Sequence, residues 1–200
     1  MKLKFLLIIS LSVFVASCSV TPGDAAYRAG QSFAAADLYR QGADQGDATA
    51  ALKLGLMIEG RLVSIDRYGN ALNWYLRACK LGDNAGCHNS GNGYEYGKSG
   101  ARKNINSAKK YYTIAAKKGY MQSQYNLGTL YSNKYFHDNI EGLKWMLLAE
   151  NTARRCSRKP FCQWVLKDPP GHRAKLMGRM SRSEIEESKR RAGAVTGSID

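Results

Sequence analysis

Histidine and cysteine are the residues in this 200-residue chain whose chemistry suits catalysis or metal binding. The three histidines, His88, His137 and His172, lie in separate segments. His88 directly follows Cys87, and a base beside a thiol suits nucleophilic catalysis only where the thiol is free. No nucleophile elbow, H-E-x-x-H motif, phosphate-binding loop or paired carboxylates accompany them. We therefore expect no catalytic residues, no cofactor and no enzyme activity.

The N-terminus has the composition of an export signal. Lys2 and Lys4 give it a positive start, residues 5–15 are apolar, and the small residues Ala16 and Ser17 follow. The apolar stretch is too short to be an ordinary transmembrane helix. We therefore expect the chain to be exported from the cytoplasm.

The residues that end this segment, V-A-S-C at 15–18, resemble the lipobox of bacterial lipoproteins. That resemblance implies that residues 1–17 are removed as a signal peptide and that Cys18 is acylated, and several acyl chains on one residue would anchor it stably. The resemblance also implies that Ser19, in place of Asp, favours sorting to the outer membrane. We expect an outer-membrane lipoprotein facing the periplasm, with residues 18–24 as a tether. A plain secretory signal with an unmodified Cys18 is the alternative.

Lysine and arginine outnumber the acidic residues by 30 to 16, which gives a net charge of +14. Such a surface suits nucleic acid, an anionic membrane or an acidic protein. Because an exported chain does not meet the chromosome, we expect anionic lipid head groups, lipopolysaccharide or an acidic protein, and no nucleic acid. A basic surface that is simply solvated is the alternative.

Cys79 and Cys87 lie eight residues apart, on either side of Gly82. We expect Cys79 in the last turn of one helix and Cys87 in the first turn of the next, so that a tight turn brings their Cα atoms into bridging range. Export permits disulfides, and closing so small a loop would stabilise the fold by roughly 2–3 kcal/mol in the chain-entropy model. A metal site is the alternative, but His88 adds only one further ligand, so we expect no metal.

The remaining pair, Cys156 and Cys162, flanks Pro160. With Cys18 set aside, four cysteines remain, and an even number in an exported chain favours disulfides. We expect Cys156 and Cys162 to form a second local bridge.

Two copies of one pattern organise the centre of the chain. In each copy an alanine, an aromatic pair, a second alanine and a glycine follow one another: Ala71, Trp74, Tyr75, Ala78 and Gly82 recur as Ala108, Tyr111, Tyr112, Ala115 and Gly119. The two copies are 37 residues apart, and a second marker glycine recurs in the same register as Gly55, Gly91 and Gly128. A regular period of this size predicts stacked helical hairpins.

Local signals place several helices within this repeat. Residues 25–45 are predicted to form one helix or a broken pair. Apolar residues at helical spacing predict helices over residues 48–59 and 67–81. Asp47 and Asp83 follow turn glycines and are predicted to cap the helices after them.

The repeat combines L-G-x-x-Y-x-x-G, a connector, D-x-x-K-A and W-Y-x-x-A-x-x-x-G. The matching residues are Ser90-Gly91 with Tyr94 and Gly97, Leu127-Gly128 with Tyr131, Asn104 with Ala108, Asp138 with Glu141-Gly142, and Trp74-Tyr75 with Ala78 and Gly82. This pattern resembles Sel1-like repeats, which are related to tetratricopeptide repeats. The resemblance implies an all-α fold, an α/α superhelical solenoid of helix-turn-helix repeats over residues 25–153.

The paired Cys79 and Cys87 across one turn resemble the cysteine-rich secreted branch of this family. That branch is associated with penicillin binding and β-lactam hydrolysis. Because no catalytic motif accompanies the histidines and cysteines of this chain, a β-lactam-binding or hydrolysing enzyme is the least favoured of the alternatives.

Residues 154–192 differ from the repeats and are predicted to cap them. The sequence S-E-I-E at 183–186 resembles a capping box and predicts a final polar helix that ends at about Ala192. Such a helix would shield the open end of the stack from water. Residues 193–200 are predicted to be a frayed, flexible tail.

Aromatic and basic residues indicate how such a solenoid would bind a partner. Tyr96, Tyr112 and Tyr135 are candidates for lining its concave face as rigid anchors, and Arg102 and Lys103 would steer an acidic surface towards it. We expect a lipid-anchored envelope scaffold or adaptor that binds a protein. The alternative is a periplasmic immunity protein that neutralises a secreted effector such as a phospholipase, because lipoproteins with Sel1 repeats resemble such immunity partners. A secreted, host-facing role is a further alternative.

Overall fold

The structure is a computed structural model that describes residues 20–132, 135–168 and 171–196. Within these residues the chain is helical and contains no strand. The helices in chain order are α1 (Pro22–Arg28), α2 (Ser32–Asp44), α3 (Ala48–Glu59), α4 (Ile65–Tyr68), α5 (Ala71–Lys80), α6 (Asn84–Tyr96), α7 (Ile105–Lys117), α8 (Met121–Ser132), α9 (Asn139–Arg155), α10 (Pro160–Lys167), α11 (His172–Met177) and α12 (Arg182–Thr196). The predicted signal peptide over residues 1–17 and the predicted lipidation site Cys18 lie outside the described residues.

Each helix of the repeats packs mainly against its neighbours in sequence. Helix α2 packs on α3, α3 on α5 and α5 on α6, and the succession continues through α7 and α8 to α9. Nearest-neighbour packing of this kind defines a solenoid. The predicted all-α solenoid is therefore confirmed.

Two of the turns between repeats have a glycine followed by an aspartate, whereas Gly119 in the third is followed by Tyr120. Gly46 and Gly82 have φ values of 94° and 98°, which a side chain would strain. Asp47 and Asp83 then accept hydrogen bonds from amide groups in the first turns of α3 and α6. Both predicted caps are confirmed, and α3 has the predicted bounds.

A second glycine in each repeat lies under a large side chain of the following helix. A Cβ on Gly55 would lie 2.6 Å from the Tyr75 ring, and one on Gly91 would lie 2.5 Å from the Tyr112 ring. Atoms cannot approach so closely, so only glycine admits the ring. We call this contact the glycine slot. The equivalent contacts elsewhere are Gly23 with Tyr39 and Gly128 with Met146.

The N-terminal end of the described chain is more ordered than the predicted tether. Residues 18–24 were expected to be a tether, but α1 begins at Pro22, with the Thr21 side chain accepting a hydrogen bond at its start. Proline suits this first helical position, because an amide hydrogen there would have no acceptor within the helix. The broken pair of helices expected over residues 25–45 is present as α1 and α2.

The single helix predicted over residues 67–81 is wrong. Gly69 has a φ of 74°, which an α-helix cannot contain, and α4 ends there. The Asn70 side chain then accepts a hydrogen bond from the Asn73 amide and starts α5. Apolar spacing continues across this break, and for that reason it predicts one helix where there are two.

The C-terminal helices α10, α11 and α12 all pack against α9. Ser188 and Ala192 on α12 are buried, and Ala192 joins the core formed by α7, α8 and α9. Helix α12 thus covers the end of the repeat stack. No helix in the described ranges is long and apolar enough to cross a bilayer.

The start and end of α12 differ from the prediction. Ser181 donates from its backbone to the Glu184 carboxylate over 2.8 Å, and the Ser181 hydroxyl accepts from the Glu184 amide over 3.3 Å. This reciprocal pair is a capping box, placed two residues before the predicted one at 183–186. The helix also continues through Thr196 instead of fraying from residue 193.

Candidate functional site

Four of the five predicted partner-binding residues lie together at the C-terminal end of α6. Tyr96 is the last residue of α6 and is 63% exposed. Lys103 Nζ donates a hydrogen bond of 3.2 Å to the Tyr135 hydroxyl and lies 5.6 Å from the centre of that ring. Arg102 is exposed next to Lys103, and Lys98 Nζ lies 6.0 Å from the centre of the Tyr96 ring. We call Tyr96, Lys98, Arg102, Lys103 and Tyr135 the aromatic–basic surface.

The loop between α6 and α7 carries most of this surface and is fixed by its backbone. Gly97 ends α6 in a left-handed conformation. The Asn104 amide donates to the Tyr94 carbonyl over 2.8 Å, and the Leu72 amide of α5 donates to the Ser99 carbonyl over 2.9 Å. Because the loop is bound to α6 and to α5, it loses little conformational freedom when a partner binds.

The charge of the surface is mainly positive. Arg102 and Lys103 form no ion pair with a carboxylate of the described residues, whereas Lys98 Nζ lies 3.7 Å from Glu59 Oε1. Two cations of the surface are therefore uncompensated within the described chain. They would attract an acidic partner.

The hydroxyl of Tyr96 remains protonated at physiological pH. Partial burial, followed by the Glu95 carboxylate and by Tyr135, raises the pKa of Tyr96. The surface thus combines a neutral aromatic donor with positive side chains.

The prediction that Tyr112 lines the partner-binding surface is wrong. Its side chain is 0% exposed because the ring fills the slot above Gly91. Its hydroxyl lies 2.7 Å from Glu95 Oε2 and 2.6 Å from Asn92 Oδ1. Burial, and then the Glu95 carboxylate, raises the pKa of Tyr112. This tyrosine holds the repeat together and cannot contact a partner.

The same tyrosine–carboxylate contact occurs one repeat earlier. Tyr75 donates to Glu59 Oε2 over 2.6 Å, and Ser99 donates to the other carboxylate oxygen over 2.6 Å. Burial, and then the hydrogen bond to Glu59, raises the pKa of Tyr75. Glu59 and Glu95 each follow a slot glycine by four residues, and this spacing is the sequence signal from which the contact was predictable.

His88 belongs to a polar network between α6 and α8. Its Nδ1 lies 3.0 Å from Ser123 Oγ, and its Nε2 lies 3.1 Å from Asn92 Nδ2. Burial, and to a lesser extent the charge of Lys98, lowers the pKa of His88 to about 4, so the ring is neutral at physiological pH. A neutral histidine beside a serine suits nucleophilic chemistry, but Ser123 is fully buried and inaccessible to a substrate. The network therefore links two helices.

One S-x-x-K spacing occurs in the chain, at Ser107 and Lys110. In penicillin-recognising enzymes this spacing places a lysine beside a nucleophilic serine. Here Lys110 Nζ lies over the Tyr111 ring, 5.4 Å from its centre, and the Ser107 amide donates to the Asn104 cap. No hydrogen bond of the described residues joins Ser107 to Lys110, so their geometry is not that of the catalytic pair.

The structure joins both predicted cysteine pairs. The Cα atoms of Cys79 and Cys87 are 4.5 Å apart, and those of Cys156 and Cys162 are 5.9 Å apart. Both separations are normal for disulfides. In the part of the chain that the structure describes, no three potential ligands lie together in a way that would hold a metal ion.

Sequential hairpins, capped turns and the glycine slot define the chain as a helical-repeat solenoid, a class whose members generally serve as scaffolds for protein interactions. A family model described as the Sel1 repeat matches residues 31–47, 48–83, 85–120 and 122–151. The chain belongs to the Sel1 repeat family. The predicted family is confirmed.

Three solved structures resemble this chain. A protective antigen of uropathogenic Escherichia coli with an SLR fold is 24% identical, with a TM-score of 0.65 over 81% of this chain and 32% of its own. A Sel1 repeat protein from Oxalobacter formigenes is 25% identical, with a TM-score of 0.54 over 80% of this chain and 63% of its own. An immunity protein of Pseudomonas aeruginosa is 16% identical, with a TM-score of 0.38 over 91% of this chain and 85% of its own, a likeness too distant to support a functional argument.

This chain matches about a third of the antigen and just under two thirds of the Oxalobacter protein. No curated protein matches it. The comparisons therefore support the family and the fold, and they do not identify a partner for this chain.

Proposed function

We propose that this chain is an envelope interaction module that binds an acidic protein through the aromatic–basic surface, while a lipid on Cys18 holds it to the outer membrane. The Sel1 repeats supply a scaffold suited to protein interactions. The observation that carries the proposal is the exposed ring of Tyr96 at the end of α6, beside Lys98 on a loop that backbone hydrogen bonds hold in place.

The residues of the surface have different parts in this binding. Tyr96 has a large apolar ring and a polar tip, the combination that makes tyrosine frequent among residues with a large share of binding energy. Arg102 and Lys103 lie at exposed positions, where charges mainly accelerate encounter and make it sensitive to salt. We therefore expect Tyr96 to determine how long a complex lasts, and the two cations to determine how fast it forms.

A capture experiment with a matched control tests the binding surface. The full chain and its Tyr96→Ala variant are used as baits in an envelope extract, with Phe161→Ala as the control, because Phe161 is also an exposed aromatic residue but lies on α10, outside the aromatic–basic surface. We expect one stoichiometric protein that the wild type and the control capture equally. Its affinity for Tyr96→Ala should fall at least about ten-fold, which corresponds to roughly 1.4 kcal/mol.

The captured protein then tests the charge part of the proposal. Binding to wild type should weaken as salt is raised, and Lys103→Gln should reduce that dependence. Equal capture by wild type and Tyr96→Ala would show that the partner binds elsewhere. If the captured protein is a secreted effector whose activity this chain suppresses, the role is immunity; if it is an envelope protein, the role is that of a scaffold.

Cell fractionation tests the anchor independently of the partner. Cys18→Ala should move the protein from the membrane to the soluble fraction, because the acylated residue is lost. Ser19→Asp is the matched change one residue away. It should leave the protein in the membrane but transfer it from the outer to the inner membrane. A Cys18→Ala protein that stays in the outer membrane would contradict lipid anchoring.

A further inference from the structure

A group of large apolar side chains is exposed at the N-terminal end of the solenoid. Tyr27, Phe33, Leu56, Leu62 and Ile65 are between 44% and 61% exposed. Single exposed apolar residues are ordinary on protein surfaces, whereas a contiguous group indicates a contact with another apolar surface. We call these five residues the N-terminal apolar face.

The five residues form one continuous face. A groove of about 240 Å³ is lined by Tyr27, Leu56 and Leu62, and a second groove of about 450 Å³ is lined by Phe33, Leu62 and Ile65. Leu62 belongs to both, so the two grooves adjoin. Further apolar side chains that are buried in the core, such as Met57 and Val63, form parts of the groove walls.

This face lies next to the start of the described chain. A third groove, of about 460 Å³, is lined by Thr21 and Pro22 together with Tyr39 and Lys53, and these last two residues also line the groove of Tyr27. Only Ser19 separates Cys18 from the first described residue. An extended chain spans at most about 3.6 Å per residue, so a lipid on Cys18 would lie within roughly 20 Å of Pro22.

Positive charge accompanies the apolar residues. Arg28 follows Tyr27 and Arg61 precedes Leu62, and neither forms an ion pair with a described carboxylate. Two acids lie near the face. The Asp66 carboxylate accepts a hydrogen bond from the Ser64 hydroxyl, and Asp24, which lines the groove of Tyr27, is paired with Lys53. Apolar side chains with uncompensated arginines beside them match the boundary between acyl chains and anionic head groups.

We infer that the N-terminal apolar face rests on the surface of a phospholipid bilayer when the chain is anchored through Cys18. The inference depends on the proposed anchor, because a lipid at Cys18 is what brings the membrane to this face. Docking would insert the tips of Tyr27, Phe33 and Leu62 into the boundary region and leave the repeats above it. The chain would then have a fixed orientation on the membrane instead of swinging on a tether.

Tryptophan reporters in the full anchored chain test this contact. Leu62→Trp places a reporter on the face, and Ile114→Trp places one on α7, where Ile114 is also an exposed apolar residue. Each protein is reconstituted into vesicles of phosphatidylcholine and phosphatidylglycerol, with and without bromine near the carbonyl end of the acyl chains. The emission of the parent chain, which has three native tryptophans, is subtracted.

We expect bromine to remove about half of the emission added by Leu62→Trp, because a side chain at a docked face lies roughly 5–10 Å into the boundary region. The emission added by Ile114→Trp should be unchanged. Circular dichroism of both variants verifies that they are folded. Equal quenching of the two reporters, or quenching of neither, would overturn the inference.

The result is separable from the outcome of the proposed function. A chain that floats with the vesicles but shows no selective quenching of Leu62→Trp is anchored without docking. A Cys18→Ala chain that no longer floats supports the anchor whatever the reporters show. An unquenched Leu62→Trp emission in an anchored chain counts against the bilayer as the occupant of the face.

Discussion

In the third repeat (residues 85–120) and the fourth repeat (residues 122–151), different side chains pack against the slot glycine. In the third repeat the Tyr112 ring lies over Gly91, and its hydroxyl reaches Glu95. In the fourth repeat Met146 lies over Gly128 with a similarly short approach. Ser132 stands where the third repeat has its glutamate, so the described residues of the fourth repeat form no equivalent hydrogen bond between tyrosine and carboxylate at this position.

The second repeat agrees with the third, since Tyr75 lies over Gly55 and donates to Glu59. The glycine slot is therefore common to all three repeats, whereas the polar contact is present in only two. Close packing of two helices is what the fold requires at this position. The hydroxyl–carboxylate pair adds stability where both partners are present, and a flexible methionine fills the slot where they are not.

The largest effect should come from emptying the slot of the third repeat. Tyr112→Ala removes a fully buried ring and should lower the free energy of unfolding by about 3–5 kcal/mol, as for other buried aromatics. Urea denaturation followed by circular dichroism measures this. Tyr96→Ala, which truncates an exposed tyrosine of the same repeat, is the control and should change stability by less than about 0.5 kcal/mol. Equal losses in the two variants would refute the proposed importance of the slot.

A smaller effect should follow from filling the slot from the other side. Gly91→Ala places a Cβ against the Tyr112 ring and should cost about 1–3 kcal/mol, because the ring has to move in a packed core. Gly193 is the control, since a Cβ there would not clash with a described side chain or with another helix. Gly193→Ala should be neutral or stabilise α12 by up to about 1 kcal/mol. A Gly91→Ala protein as stable as wild type would mean that the slot is wider than it is in this structure.

Removing the polar contact alone should cost less again. Tyr112→Phe keeps the ring in the slot and deletes the hydroxyl that bonds Glu95, at a cost of about 0.5–1.5 kcal/mol. Tyr111→Phe is the control, because its hydroxyl forms no hydrogen bond with a described residue. If Tyr112→Phe unfolds at the same urea concentration as Tyr111→Phe, the hydrogen bond between Tyr112 and Glu95 does not stabilise the fold. The absence of such a bond at Met146 would then cost the fourth repeat no stability.

The parts of this fold that depend on neighbouring residues could be predicted from the sequence. Gly46 with Asp47, and Gly82 with Asp83, specify a turn and a cap within a few residues of each other. The cysteines across the Gly82 turn are a local feature for the same reason. The break at Gly69 was not predictable from periodicity, because the apolar spacing continues on both sides of it.

Features that depend on which face of a helix meets which neighbour were not predictable in the same way. Tyr111 and Tyr112 are adjacent in sequence, and only the position of α6 decides that Tyr112 is the one that is buried. The capping box of α12 was placed too late because Ser181 and Ser183 each precede a glutamate by three residues. Of the aromatic–basic surface, Tyr96, Arg102 and Lys103 were predictable because they lie at or near one loop, whereas the contact of Lys103 with Tyr135 depends on how a second loop is placed.

The smallest effect concerns the first tyrosine slot, whose acid is placed differently from those of the later repeats. Tyr39 lies over Gly23, and its hydroxyl donates to Asp24 over 2.6 Å. This carboxylate directly follows its slot glycine, whereas Glu59 and Glu95 follow theirs by four residues. The hydrogen bonds from Lys53 and then Tyr39 lower the pKa of Asp24 to about 2.

The sign of the pH effect follows from that direction. In the unfolded chain Asp24 would titrate near 3.8, so its contribution is fully present above about pH 4. Between about pH 4 and pH 2 the unfolded chain takes up the proton first, and the contribution is lost as the pH falls. Asp24→Asn should therefore be less stable than wild type at neutral pH, and the difference should shrink over this acid range.

Asp66→Asn is the control, because it replaces an exposed aspartate outside the contact. The contributions of carboxylates elsewhere cancel when the variants are compared. A stability difference between wild type and Asp24→Asn that stayed constant from pH 5 to pH 2 would show that the contact of Asp24 with Tyr39 and Lys53 does not stabilise the first slot.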